Sequence, residues 1–313
     1  MLTFIAVSDK LLSSERCVFV LKKYDIAILA AGLTWGMIGL FTRNLSLAGM
    51  SSAGVLIVRS GGCAVLFSAW ALVRDRKLFR FTWKDAWLLG LFGLVTFFFT
   101  YCYYQSIDNG SLSMACTLMY SAPMFVMVMS LFLFGEKFSR RKLLALLCAV
   151  AGCALVSGVL EGNATAGAAG IVYGLLAGIG YASYSVCIKA LSNRGLDTLT
   201  INVWGWIVCT ALGLVVWGPS PAAPALASGR NALLSVGLIV VSGFLPALLY
   251  SLGLRGEEAG KGAVMASVEP VMASLMGFVA FHETPTPLAL VGIVLVLAAV
   301  ALLNLGGPKQ TAT

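Results

Sequence analysis

Charged residues are scarce in this sequence. Of its 313 residues, 11% are charged, against about 25% in a typical soluble domain. The shortage leaves no polar segment long enough to form a separate soluble domain. Hydrophobic residues instead make up 59% of the chain, which indicates that lipid surrounds most of it.

Signatures of enzymes are missing as well. The chain contains neither H-E-x-x-H nor G-x-S-x-G, and it has no nucleophile–base pair at a fixed spacing. The segment GEEAGKG at 256–262 is not a phosphate-binding loop, because its first glycine is misplaced and no Ser or Thr follows the lysine. We therefore expect no catalytic residue and no ATP-driven mechanism.

Metal and disulfide chemistry is also not indicated. The eight cysteines form no C-x-x-C pair, and His282 is the single histidine. Without ligand spacing of that kind, we expect no metal site and no cofactor. Seven cysteines fall within the apolar runs described next and are interpreted as small packing residues: Cys63, Cys102, Cys116, Cys148, Cys153, Cys187 and Cys209.

Apolar runs dominate what is present. About 20 residues of helix cross the hydrocarbon core, and ten runs approach that length. They are 25–42, 53–73, 86–106, 112–134, 141–159, 168–190, 199–217, 231–253, 262–281 and 286–305. The sequence therefore predicts an all-α integral membrane protein with ten transmembrane helices. Residues 1–24 do not form a signal peptide, because charges at Asp9, Lys10 and Glu15 interrupt their short apolar runs. We interpret them as a cytoplasmic tail.

The net charge of +8 does not indicate nucleic-acid binding, because the basic residues lie mainly on one side of the membrane. If both termini are cytoplasmic, 18 of the 21 basic residues lie on the cytoplasmic side. Only Arg43 and Arg230 lie on the opposite side, and Arg59 lies within a span. This distribution is the positive-inside bias, which reports orientation in the membrane. We expect a multi-pass protein of the cell inner (plasma) membrane.

The sequence contains an internal repeat of two similar units. A shift of 147 positions brings Pro123 onto Pro270 and Glu136 onto Glu283. A shift of 146 brings Trp35 onto Tyr181. The units are 25–160 and 168–305, with a C-terminal tail at 306–313. Because each unit has five spans, the second enters the membrane from the opposite side, and such inverted repeats usually serve alternating access around a central site. Duplication kept only for packing is the alternative.

Segments 103–156 and 250–303 carry the same order of features: a helix with a proline, an apolar run that ends in Glu, a polar turn and a closing helix. The marks are Pro123 with FGE at 134–136, and Glu269-Pro270 with FHE at 281–283. This order resembles the ten-helix, EamA-type branch of the drug/metabolite transporter superfamily. The second copy departs from the first at His282, where the first copy has Gly135.

The resemblance implies ten helices around a central cavity, with the fifth and tenth at the periphery. Members of this superfamily move amino acids, sugars, nucleotide derivatives, cofactors and small aromatic compounds. The resemblance therefore narrows the mechanism far more than the substrate.

Glu269 stands inside an apolar run with Pro270 directly after it. A carboxylate at a helix centre costs on the order of 3 kcal/mol and usually faces the bundle interior or water. Pro270 frees the carbonyl of Ala266 and favours a kink. We expect Glu269 either to bind a proton, cation or substrate, or to cap neighbouring helix ends.

Arg59 is the one basic residue well inside a span. It either holds a carboxylate or phosphate or snorkels to the outer interface. Its depth differs from that of Glu269 by about 10 Å, which leaves a direct salt bridge undecided.

Aromatic residues supply further candidates. Tyr103 lies in the run TFFFTYCYYQ (96–105), and Tyr250 recurs at its repeat position. Trp35, Tyr181 and Trp204 lie on inner helices and can stack on an aromatic or cationic substrate. Ordinary packing, or a belt at the membrane interface, is the alternative for each.

Glu136 and Glu283 end their helices beside polar turns, and we expect each to cap the helix that follows. The small-xxx-small patterns at 32–36 and 170–178 predict close helix contact.

These observations favour a secondary transporter, an exporter of small metabolites such as amino acids, that uses the proton gradient or the substrate gradient alone. Its expected partners are a small-molecule substrate, the lipid bilayer and, in the coupled case, protons. The alternatives are an efflux carrier for cationic compounds, an intramembrane enzyme and a non-transporting membrane protein. The sequence leaves the oligomeric state open, and a monomer is compatible with it.

Overall fold

Backbone polar groups in lipid must find partners within the chain, and helices provide them. The computed structural model describes residues 22–109, 112–137, 139–157, 160, 167–282 and 284–304. Those ranges contain helices and no β-strand, and nine of their helices are long and apolar enough to cross a membrane. The prediction of an all-α membrane protein is confirmed.

Ten long helices follow one another along the described ranges, with short 3₁₀ helices at Arg76–Phe79 and Ser220–Leu226 between them. Their bounds are α1 Lys23–Leu47, α2 Ser52–Arg74, α3 Trp83–Asp108, α4 Leu112–Met119 continued by Ala122–Phe134, α5 Arg140–Val156, α6 Ala168–Asn193, α7 Thr198–Trp217, α8 Gly229–Gly256, α9 Ala259–Phe281 and α10 Pro287–Asn304. They fall within a few residues of the ten predicted spans. The helix α5 has 17 residues and so is shorter than the other nine.

Prolines interrupt two of these helices at equivalent positions. The helix α4 breaks just ahead of Pro123, and α9 breaks just ahead of Pro270. Because proline has no N–H, it fits the first turn of the new helical segment. The helix is interrupted where a kink is predicted at Pro270, and Glu269 becomes the first residue of the second half of α9. The helix α1 is interrupted at Met37.

Helix packing follows the same pattern in the two halves of the chain. The helix α3 packs along α6, and α8 packs along α1. The two pairs are equivalent, because α8 is the counterpart of α3 in the other half and α1 is the counterpart of α6. The contacts of α4 with α6 and of α9 with α1 match in the same way. The helices α5 and α10 pair with each other and expose Leu147 and Val294, which agrees with the peripheral position that the resemblance implies.

In each half of the chain, glycines of the first helix allow it to pack closely against a helix that is interrupted near a proline. A Cβ atom added at Gly32 would lie 2.7 Å from the carbonyl oxygen of Ala266 in α9. A Cβ atom added at Gly178 would lie 2.6 Å from Ser121 Oγ and 3.1 Å from the carbonyl oxygen of Leu118 in α4. The small-residue patterns of α1 and α6 are therefore contact surfaces, as predicted, and they support the two breaks.

Glu136 caps a different helix from the one predicted. Its Oε1 accepts a hydrogen bond from the Ala259 amide at 2.8 Å, and its Oε2 accepts one from Gly260 at 3.2 Å. The predicted cap on α5 is wrong, because Ser139 fills that position and accepts from the Lys142 amide. The second half of α4 packs on the first half of α9, and this contact brings Glu136 to α9. Glu283 lies outside the described residues.

We expect Gly32→Ala to lower the thermal unfolding temperature of the detergent-purified protein by the equivalent of about 1–3 kcal/mol, because the added methyl group forces α1 away from Ala266. Gly90→Ala is the matched control, because a Cβ atom there meets no other atom within 4 Å. Equal unfolding temperatures for the two variants would contradict the close approach of α1 to the break.

We expect Glu136→Ala to destabilise the protein by about 0.5–2 kcal/mol, because two amides at the start of α9 lose their acceptor. Thermal unfolding measures the change. Lys137→Ala, which removes an exposed neighbouring side chain, should leave the unfolding temperature unchanged. An unchanged value for Glu136→Ala would show that α9 does not depend on this cap.

Candidate functional site

A small cavity of about 50 Å³ lies beside the break in α9. Five of the six residues predicted to contact a substrate meet there, on five different helices. Its lining consists of Trp35, Ile38, Arg59, Thr96, Phe99, Thr100, Tyr103, Met119, Tyr181, Tyr184, Trp206 and Glu269. The structure thus brings these candidates together, and their contact with a substrate stays a prediction.

Helical spacing explains several lining residues that the sequence analysis did not single out. Thr96, Phe99, Thr100 and Tyr103 follow the spacing i, i+3, i+4 and i+7, which places them on one face of α3. Tyr184 lies three residues after Tyr181 on α6. Extending each predicted residue along its helix face would have identified these neighbours.

Stacked aromatic rings form one wall of the cavity. The ring centroid of Trp35 lies 6.1 Å from that of Tyr181 and 5.1 Å from that of Tyr250. Phe99 stacks on Tyr181 at 5.3 Å. The hydroxyl of the fully buried Tyr250 lies 2.9 Å from Ser185 Oγ. Mutual packing fixes these side chains, so the cavity presents a rigid aromatic surface.

Arg59 faces this cavity from α2. Its guanidinium carbon lies 5.8 Å from the ring centroid of Trp206. Its Nε atom is buried without a hydrogen-bond partner, which does not fit a side chain that snorkels to water. Within the described part of the chain, Arg59 forms no ion pair.

Glu269 faces the same cavity from the first turn after the break in α9. The unpaired amides at the start of a helical segment favour a negative group at this position. Among the described residues, its carboxylate accepts no hydrogen bond and lies within 4 Å of no cationic nitrogen. Arg59 and Glu269 therefore line one cavity without being a salt bridge.

A larger cavity of about 400 Å³ adjoins the first and shares Ile38, Tyr103 and Glu269 with it. Its walls are the halves of α1 and α9 that follow their interruptions, together with the start of α2 and the end of α3. Arg43 lies at its rim, with the guanidinium carbon 4.3 Å from the ring centroid of Phe281. The volume is in the usual range for ligand pockets, about 300–1,000 Å³.

Ion pairs close the opposite end of the bundle. The buried carboxylate of Asp25 lies 2.6 Å from Lys261 Nζ, which also lies 3.3 Å from Glu257. These pairs join the starts of α1 and α9 to the end of α8. Lys189 Nζ on α6 donates to the carbonyl oxygens of Leu254 at 3.0 Å and Glu257 at 2.7 Å. From the sequence, these lysines are counted only among the basic residues of the cytoplasmic side.

Trp204, the sixth predicted residue, lies outside the cavity. Its indole N–H donates to the carbonyl of Phe79 at 3.3 Å, and its ring contacts Phe81 edge-on. Trp206 takes the place on the cavity wall. Two residues along a helix rotate a side chain by about 200°, so neighbouring tryptophans on α7 face different sides.

Relatives of this chain are named as transporters. An uncharacterized transporter of Archaeoglobus fulgidus is 29% identical over 279 residues, covering 88% of this chain and 94% of the relative. An uncharacterized transporter of Bacillus subtilis is 24% identical over 92% of this chain and 95% of its own length. The pseudopaline exporter CntI of Pseudomonas aeruginosa is 26% identical over 66% of this chain and 71% of its own length.

A solved crystal structure shares the fold. It superimposes with a TM-score of 0.76 over 89% of this chain and 95% of the other, at 18% identity. The family model for EamA-like transporters matches the sequence twice, over residues 22–158 and again over 168–305. Since the two matches together span nearly the whole chain, the protein belongs to the EamA-like transporter family, within the drug/metabolite transporters.

Proposed function

We propose that this protein is a secondary transporter that exports small metabolites such as amino acids by alternating access. The observation that carries the proposal is the access to the central cavity. The small cavity adjoins the larger one between the second halves of α1 and α9, whereas ion pairs join the helices at the other end of the bundle. A binding site open at one end only is what one state of an alternating-access cycle requires.

The packing pattern of the helices supports the second state. Because exchange of the two halves reproduces the helix contacts, the halves can trade roles at little cost in packing. We infer that the second half is inverted in the membrane relative to the first. The opening between α1 and α9 would then close while an equivalent opening forms between α6 and α4.

Charge distribution supports the orientation of the site. The closed end gathers Lys22, Lys142, Lys189 and Lys261, and basic residues concentrate on the cytoplasmic side of membrane proteins. We infer that both termini are cytoplasmic in the inner membrane and that the cavity opens outward. An outward-open empty carrier is compatible with export, because the substrate leaves in this state.

The energy source is the proton gradient or the substrate gradient alone. Glu269 is our candidate for proton coupling, because its carboxylate faces the cavity and has no ion-pair partner within the described ranges. The name of the Pseudomonas aeruginosa relative, pseudopaline exporter, supports export as the direction of transport for this protein. A carrier for cationic compounds is the second candidate, since aromatic rings and one carboxylate line the cavity.

We expect the purified protein to transport part of a panel of amino acids, sugars and cationic drugs in proteoliposomes. With proton coupling, an imposed proton gradient should drive accumulation, and Glu269→Gln should reduce it at least about tenfold, a change of 1.4 kcal/mol. The exposed Asp75→Asn is the matched control and should transport like the wild type. Unchanged flux and pH dependence in Glu269→Gln would remove this residue from coupling.

We expect Asp25→Asn to open the closed end, because Lys261 loses the shorter of its two ion pairs, the one that joins α9 to α1. Cysteines at Ala273, on the wall of the open cavity, and at the buried Ala263 of α9 report the change. A membrane-impermeant maleimide should label Ala273→Cys from outside. Asp25→Asn should slow that labelling and speed labelling of Ala263→Cys from the cytoplasmic side, each by about tenfold.

Each labelling rate is compared with that of the parent protein, which carries only the native cysteines. Asp75→Asn makes the same chemical change at an exposed carboxylate and should alter neither rate. Labelling of Ala273→Cys from the cytoplasmic side only would reverse the proposed orientation. Identical rates with and without Asp25→Asn would show that the ion pair does not hold the closed end.

A further inference from the structure

Two opposite charges face one cavity at membrane depth, and neither forms an ion pair with any residue that the structure describes. The Nε atom of Arg59 is buried without a hydrogen-bond partner, and the guanidinium forms no ion pair among the described residues. The carboxylate of Glu269 lines both the small cavity and the large one and accepts no hydrogen bond there. Each such group costs several kcal/mol without compensation. Side chains this costly indicate groups arranged to meet a ligand.

The buried charged side chains at the closed end of the bundle are arranged differently. Asp25, Glu257 and Lys261 are buried or nearly so, and each of them is paired. The chain therefore compensates buried charge where it serves structure. At the cavity it keeps two opposite charges more than 4 Å apart, although pairing them would have removed both costs.

Further unpartnered polar atoms surround these charges. The hydroxyl of Tyr181 and the indole Nε1 of Trp206 are buried without hydrogen-bond partners, and both side chains line the cavity. Nε1 is a donor only, and the hydroxyl can donate or accept. Together with the guanidinium, they supply donors for the oxygens of a ligand.

We infer that the cavity binds zwitterions, with the ligand carboxylate on Arg59 and its ammonium group on Glu269. The inference rests on the proposed transport function and assigns its substrate class. Arg59 offers a planar donor set that fits a carboxylate. The faces of Trp35 and Tyr181, which line the same cavity as Glu269, attract the cationic end.

Other ligand classes leave one of the two charges uncompensated. A cation neutralises Glu269 but leaves Arg59 without an opposite charge. An anion neutralises Arg59 but leaves Glu269 without one. A neutral compound leaves both charges uncompensated. A zwitterion neutralises both charges at once, and this distinguishes a carrier of amphoteric metabolites from a carrier of cationic compounds.

The test measures ligand-dependent thermal stabilisation of the full-length protein in nanodiscs. The probes are phenylalanine, leucine, lysine and glutamine, each with its carboxamide, which lacks the carboxylate, and its N-acetyl derivative, which lacks the ammonium group. We expect at least one parent amino acid to raise the unfolding temperature. Its two derivatives should bind at least about tenfold more weakly, as expected for a lost charge pair.

Variants assign each end of the ligand. Arg59→Gln should remove the preference for the amino acid over its carboxamide, and Glu269→Gln should remove the preference over its N-acetyl derivative. Each variant should leave the other preference intact, a result that loss of folding would not produce. Trp204→Phe, which lies outside the cavity, is the control and should keep both preferences.

Two results would overturn the inference. One is a derivative that stabilises the protein as well as its parent, and the other is no stabilisation by any of the four amino acids. Proteoliposome flux separates this failure from failure of the proposed function. Transport of a simple cation or a sugar would keep the transporter proposal and reject the zwitterion site, whereas flux of no compound would reject transport itself.

Discussion

The contact between α1 and the interrupted backbone of α9 is the constraint on which the site depends. A broken helix exposes carbonyl groups, and at membrane depth these must be covered by protein or water. Gly32 and Gly36 allow α1 to approach α9 closely. A Cβ atom added at Gly32 would lie 2.7 Å from the backbone carbonyl oxygen of Ala266, and one added at Gly36 would lie 2.4 Å from the backbone carbonyl oxygen of Glu269. The backbone of α1 thereby fixes the position from which the Glu269 side chain enters the cavity.

The two halves share their packing but differ in the charges that close each end. Asp25 and Lys261 form the buried pair at the closed end, and the repeat shifts place Ile171 and Met114 at the equivalent positions of the other half. The ion pair favours closure at its own end of the bundle, whereas the other end has apolar residues at the equivalent positions. The helix contacts alone make the two states similar, so this difference in charge is what biases the bundle toward the state observed.

Sequence patterns were sufficient for the helices, the break at Pro270 and five of the residues that line the small cavity. Apolar length sets the spans, and Pro270 determines its own break, so both follow from local chemistry. The identity of the partner that Glu136 caps depends on which distant helix end packs beside it, and no local pattern contains that information. The same holds for Trp204 and Trp206, since the face of α7 that turns inward is decided by its neighbours α2 and α3.

At one position of the repeat, the backbone conformation is the same in both halves although the residues differ. Gly135 and His282 occupy equivalent positions at the ends of α4 and α9, and both adopt left-handed backbone angles, with φ of 65° and 57°. Glycine adopts this conformation freely, whereas histidine does so at some cost. The departure from the family pattern seen at His282 therefore changes the side chain and keeps the helix ending.

The unpaired charges at Arg59 and Glu269 also bear on how a ligand drives the cycle. An empty cavity that closes must enclose both charges without water, which is expensive in a medium of low dielectric constant. A bound zwitterion compensates both, so the closed cavity is less costly when loaded than when empty. A ligand shifts a conformational equilibrium only through its difference in affinity for the two states, and the two charges provide that difference. Had Arg59 and Glu269 formed a salt bridge with each other, the empty site would close as readily as the loaded one, and transport would lose its dependence on substrate.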